Sequence, residues 1–247
     1  MKKFAIIGLG AFGIRMLEEL EKMSAEVTII DQNKSLVEKY KSKASSAYVI
    51  EEINEVALRK FLSSKTQTVI VDFSRKMELS TLATTILKKI GIENIVVKAF
   101  SDEHGKLLQA VGATQIIYPD REAAKRTTPI LAAELLFKFM PISENLALAE
   151  VGVSSKYAGK SLIEANLRQD WGVNIVARRK TDSSDFVFMD DPNYKLENDD
   201  VLLIVASETH IFEFSGEKIN TKKEKSVKPS VFKNLFSSKT GEENIND

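Results

Sequence analysis

Three glycines near the start of the chain, Gly8, Gly10 and Gly13, follow the apolar run FAII and keep the spacing G-x-G-x-x-G. That spacing suits phosphate chemistry when a strand precedes it and a helix follows it. The first glycine permits a tight turn, the second lets backbone amides approach a pyrophosphate, and the third lets the helix pack close to the strand. The start of that helix then offers unpaired N–H groups to an anion. Asp31 ends the next apolar run, EVTIID, 18 residues beyond Gly13, where a carboxylate accepts hydrogen bonds from ribose hydroxyls. These residues predict a nucleotide site. They do not say whether the nucleotide reacts or is only sensed.

Hydride transfer would need a proton donor or acceptor and substrate-orienting groups beside the cradle. The chain has two histidines, His104 in SDEHGKLLQ and His210 in ETHIFEF, each near the start of an expected helix and each expected to be an exposed surface residue. Arg178, Arg179 and Lys180 form a basic cluster expected at a solvated strand end. No catalytic constellation emerges, so a sensor is favoured over an enzyme. A small NAD(H)-dependent oxidoreductase and a nucleotide-responsive binding module for another partner are the rival readings. The absence of cysteine excludes disulfides, thiolate zinc sites and a thiol nucleophile. Lys plus Arg equals Asp plus Glu at 35 each, so no global field draws nucleic acid or an anionic membrane. No apolar run reaches the roughly 18 residues that a bilayer span requires, and a cytoplasmic location is expected.

The elements that position these residues follow from the apolar pattern. FAIIG, EVTIID, AYVI, TVIVDF, NIVVKAF and QIIYP read as strands, with helical periods in AFGIRMLEELEKM, ELSTLATTILKKIG and EHGKLLQAVGA between them. Runs rich in Val and Ile separated by helices imply an α/β domain with a doubly wound parallel sheet. REAAKRTTPILAAELLFKFM reads as a connecting crossover helix, kinked at Pro129, whose apolar stripe with Leu135 and Phe139 predicts a dimer. Beyond it ALAEVGV, VNIVARR, FVFMD and DVLLIVA read as strands, with helices near SLIEANLRQ and ETHIFEF, which predicts a second, smaller α+β domain. The expected boundaries are 1–138, 142–215 and a disordered, Lys- and Ser-rich tail over 216–247, in which SVFKNLF is solvated.

The order GLGAFG, IID, STLATTILKKIG, NIVVKAF and HGKLLQAVGATQIIYPD, followed by GKSLIEANLR, NIVARR and LENDDVLLIVA, resembles the regulators of potassium conductance (RCK) over about residues 1 to 215. That family comprises gating subunits of Ktr and Trk potassium transporters. The resemblance implies a crossover helix and a C-terminal domain that both dimerise, and dimers assembled as an octameric ring beneath a membrane subunit of the KtrB or TrkH kind. It implies an adenine nucleotide, ATP or ADP ahead of NAD or NADH, that changes the shape of the ring. Such a switch needs only binding energy that differs between two states.

Carried over by position, Gly8, Gly10, Ala11, Phe12 and Gly13 line the pyrophosphate and Asp31 holds the ribose. Glu52 falls near the adenosine, one methylene longer than the family's Asp or Asn; Asp72, Phe73 and Ser74 flank the adenosine, and Lys98 lies close to the nucleotide. Asp120 stands where Ktr-type chains carry a glutamate that helps bind a cation between the nucleotides of a dimer. Ala11 replaces an arginine that such chains often turn toward the terminal phosphates, and Arg75 and Lys76 are the candidates for the missing charge. The resemblance also implies a second-ligand site for cyclic di-AMP, with Arg168 facing a phosphate and Asn174 and Ile175 meeting an adenine.

Overall fold

The computed structural model describes residues 2–62 and 66–216. The chain divides into two compact units, the first running to Ala132 and the second including everything described from Pro141 on. The expected tail beyond Gly216, SVFKNLF included, lies outside the described residues.

The first unit alternates β1 (Lys3–Ile7), α1 (Ala11–Lys22), β2 (Glu26–Asp31), α2 (Lys34–Tyr40), β3 (Ser46–Val49), α3 (Glu55–Phe61), β4 (Thr66–Val71), α4 (Met77–Ile90), β5 (Asn94–Lys98), α5 (Asp102–Ala110) and β6 (Gln115–Ile117). All neighbouring strands pair in parallel, in the order β3-β2-β1-β4-β5-β6. Side chains on a strand alternate between faces. Ala5 and Ile7 therefore join Val69, Val97, Leu87 and Leu108 in one core, while Ile6 joins Leu17, Leu20, Val27 and Ile29 in the other. Burial on both faces is why these strands read as unbroken apolar runs. In α1 the buried positions are Gly13, Leu17 and Leu20, a helical stripe that seats this helix against the sheet. Leu17 is fully buried, which stabilises the chain by about 1.5–3 kcal/mol. The strand order reverses between β1 and β4, so the loops at their carboxyl ends part and leave a crevice.

Helix α6 (Pro119–Ala132) carries Pro129 within it and buries none of its residues. The helical reading of the following residues fails. Leu136–Ser143 is strand β7, beside β8 (Leu146–Gly152), with a two-residue turn between them. Pro141 removes a backbone donor that a continuing helix would use, and the aromatic and branched residues here suit a sheet. Phe139 is accordingly a buried strand residue, not part of a helical stripe.

The second unit is an antiparallel sheet in the order β10-β9-β11-β8-β7, with β9 (Asn174–Lys180), β10 (Val187–Phe188) and β11 (Asp200–Ala206). The helix expected over SLIEANLRQ is two short ones, α7 (Leu162–Ala165) and α8 (Leu167–Trp171), split by Asn166 at φ +46°. Helix α9 (Glu208–Phe214) buries Ile211 and Phe214. The basic cluster is not a solvated strand end. Arg179 pairs with Glu150 at 2.8 Å, Lys180 reaches Glu197 and Asp199 at 2.7 Å, and Arg178 lies over the Tyr194 ring at 3.9 Å. The register explains the change, since Lys180 stands directly across from Asp200 on β11. Burial pulls the Lys180 pKa down, but hydrogen bonds to Asp199, Glu197 and Asp200 outweigh it and hold the group above its ordinary value. Among the described residues no helix is long and apolar enough to cross a membrane.

Candidate functional site

Only Gly8, Leu9 and Gly10 join β1 to α1. Gly8 has φ +85°, a conformation that side chains disfavour. A Cβ on Gly8 would lie 2.4 Å from the Asp72 carbonyl oxygen, and one on Gly10 would lie 2.3 Å from Asp72 Oδ2. The Gly10 N–H donates to the Asp72 carbonyl oxygen at 3.2 Å. The third glycine behaves as expected, because a Cβ on Gly13 would come within 2.7 Å of the Gly8 carbonyl oxygen. The first two glycines are thus required from inside the fold, where the end of β4 packs beneath the turn.

Asp72, expected to flank the adenosine, has a fully buried side chain that sits beneath the glycine turn. Oδ2 accepts from the Gly13 N–H at 2.9 Å and Oδ1 from the Ser74 N–H at 2.9 Å. Lys98 Nζ, on a side chain that is itself mostly buried, stands 3.7 Å from Oδ1. Asp31 is also tied to the backbone: Oδ2 accepts from the Leu9 N–H at 2.5 Å and Oδ1 from the Asn33 N–H at 2.6 Å. A carboxylate has about four acceptor positions, so Asp31 retains lone pairs for hydroxyl donors.

Above the turn lies a cleft of about 530 Å³, within the range of small-molecule sites. Of the expected residues, Gly10, Asp31, Asp72, Phe73 and Ser74 line it, and so do Arg75 and Lys76. Gln32, Asn33 and Leu36 line it as well. Sequence reasoning missed these three, although their place just past Asp31 at the end of β2 is the signal that could have found them. Glu52 lines a separate depression with Val49, Asn54 and Phe61. Ala11 is exposed on the first turn of α1, while Phe12 packs against the core around Leu17 and Ile29. Asp120 is exposed at the start of α6, and among the described residues no group of three or more His, Cys, Asp or Glu could hold a metal ion. In the second unit Arg168 and Asn174 are exposed and Ile175 is half-buried.

His104 corrects the expectation of a surface residue. It is 1% exposed, with Nε2 2.8 Å from Ser80 Oγ and its ring 4.5 Å from that of Phe100. Burial holds its pKa below the usual histidine value. The signal was its spacing, four residues before the buried Leu108 and thus on the same helical face. His210 is exposed, as expected.

Residues 4–119 match the TrkA-N domain family and residues 146–215 the TrkA-C domain family. The chain is 31% identical over 221 residues to the Ktr system potassium uptake protein C of Bacillus subtilis (strain 168), covering 90% of this chain and 99% of that protein. It is 31% identical over 216 residues to the Ktr system potassium uptake protein A of the same organism, covering 87% and 96%. A solved GsuK channel bound to NAD matches with a TM-score of 0.59 at 18% identity, over 89% of this chain and 40% of that one, which is a likeness of fold.

Proposed function

Because the chain belongs to the family built from TrkA-N and TrkA-C domains, the regulators of potassium conductance, we propose that it is a nucleotide-sensing regulatory subunit of a potassium uptake transporter, without catalytic activity of its own. The observation that carries this reading is the match of both domains, in order, to a Ktr protein over 99% of that protein's length. The cleft supplies the sensor. Gly8, Gly10, Ala11, Phe12 and Gly13 form the pyrophosphate side, Asp31 takes the ribose hydroxyls, and Phe73 and Ser74 lie beside the adenosine. The ligand is an adenine nucleotide, with ATP or ADP the choice that the family resemblance favours. A channel that shares this fold has been solved bound to NAD, so a dinucleotide is tested beside ATP and ADP.

The partner is a membrane subunit of the KtrB or TrkH kind, met at the cytoplasmic face. The subunit self-associates as a dimer and builds an octameric ring, with a cation at Asp120 and cyclic di-AMP at Arg168, Asn174 and Ile175 as further ligands. Gating then requires the nucleotide to bind one ring shape more tightly than the other, by about 10⁴-fold for a full reversal of populations. The test is a competition titration of ATP, ADP, NAD and NADH against nucleotide-stripped protein, with light scattering on each mixture. Adenine-nucleotide binding with a ligand-dependent change in a large assembly is expected. NADH binding alone, to a small particle of constant size that turns over a carbonyl substrate, would move the assignment to an oxidoreductase.

A further inference from the structure

We infer that, against the order the family resemblance implies, Asp72 determines which adenine nucleotide this chain's cleft accepts, by withdrawing a helix amide and the Lys98 charge from the ligand's phosphates, so that the site favours a dinucleotide pyrophosphate over the triphosphate of ATP. The inference rests on the nucleotide reading above. Ala11, Phe12 and Gly13 open α1, and N–H groups in the first turn of a helix have no partner within it. One of them, on Gly13, is taken by Asp72 Oδ2 at 2.9 Å. The other carboxylate oxygen accepts from Ser74 and faces Lys98 Nζ at 3.7 Å. A single side chain that lines the cleft thus engages donors from the first turn of α1 and the end of β5, and adds a negative charge beside both.

Its position makes that charge count. A Cβ on Gly10 would strike the Asp72 carboxylate, which therefore lies directly under the second glycine, the one whose backbone faces a pyrophosphate. The Asp72 side chain is fully buried, so its field acts through low-dielectric surroundings. Arg75 and Lys76 also line the cleft, but they are exposed, and water and counterions screen them. Position 11 adds no cation, being alanine. The adenosine half is common to ATP, ADP and NAD, so discrimination falls on the phosphates. A terminal phosphate brings further negative charge toward Asp72, whereas the diester pyrophosphate of NAD does not.

The experiment is calorimetric titration of the full-length wild type and Asp72→Asn with ATP, ADP and NAD. Asparagine keeps an acceptor for the Gly13 N–H but removes the charge and releases Lys98. Wild type should bind NAD at least as tightly as ATP. In Asp72→Asn the ATP affinity should rise by about tenfold or more, a modest part of what like-charge contact costs, with NAD changing far less. Equal changes for all three ligands, or none, would overturn the inference. Should Asp72→Asn not fold, the wild type decides alone: ATP bound tenfold more tightly than NAD overturns it, and the reverse order supports it. Binding of none of the three to either protein removes the nucleotide reading itself, and this inference with it.

Discussion

Gly10 faces a carboxylate, and that contact limits what the position tolerates. In Gly10→Ala the new methyl would strike Asp72 Oδ2, which the Gly13 N–H holds in place. Overpacking of this kind costs about 1–3 kcal/mol, and urea unfolding should show it. Adding Asp72→Ser should restore most of the loss, because the shorter side chain vacates the space. No recovery in the double variant would place the constraint elsewhere. His104 makes a second prediction. Its folded pKa is depressed by burial, whereas in the unfolded chain it titrates near 6.5. As pH falls below about 6.5 the unfolded chain takes up the proton first, so stability is complete above that value and declines toward the folded pKa. Urea melts on both sides of pH 6.5 should show this decline in wild type and a shallower one in His104→Gln. Equal slopes would count against it.

Among the elements, α6 stands apart, with 14 residues of which none is buried and with Leu131 81% exposed. A helix that buries none of its residues and carries apolar ones suits the proposed self-association better than an isolated subunit. Leu131→Asp should lower the mass seen by light scattering while leaving the circular dichroism unchanged. Phe139→Asp should behave differently. That side chain is 5% exposed in β7, and an unpaired charge there should unfold the sheet. A Leu131→Asp protein of unchanged mass would remove α6 from the interface. The helical stripe legible in ILAAELLFKFM was misleading because strand pairing with β8 overrides local period once Pro141 bars further helix.

At the scale of the whole molecule, each legible feature was a local one. Buried parallel strands are apolar on both faces, so their runs and intervening helices announced a doubly wound sheet, and the change of texture beyond Pro141 announced a second α+β unit. The glycine spacing reported a backbone turn, and Asp31 followed from its place at the end of the next strand. Other features needed partners that the chain brings together only on folding. Asp72 meets Gly13 across 59 positions, Ser80 meets His104 across 24, and Arg179 meets Glu150 across 29. The sequence by itself determined the doubly wound sheet of the first unit and the glycine turn between β1 and α1, because propensity and turn geometry act over a few residues. The tertiary structure alone decided that Leu136–Ser143 is a strand, that Asp72 lies under that turn, that His104 is buried and that the basic cluster is paired. Burial and charge pairing depend on what the opposite strand or helix presents, and no local pattern carries that information.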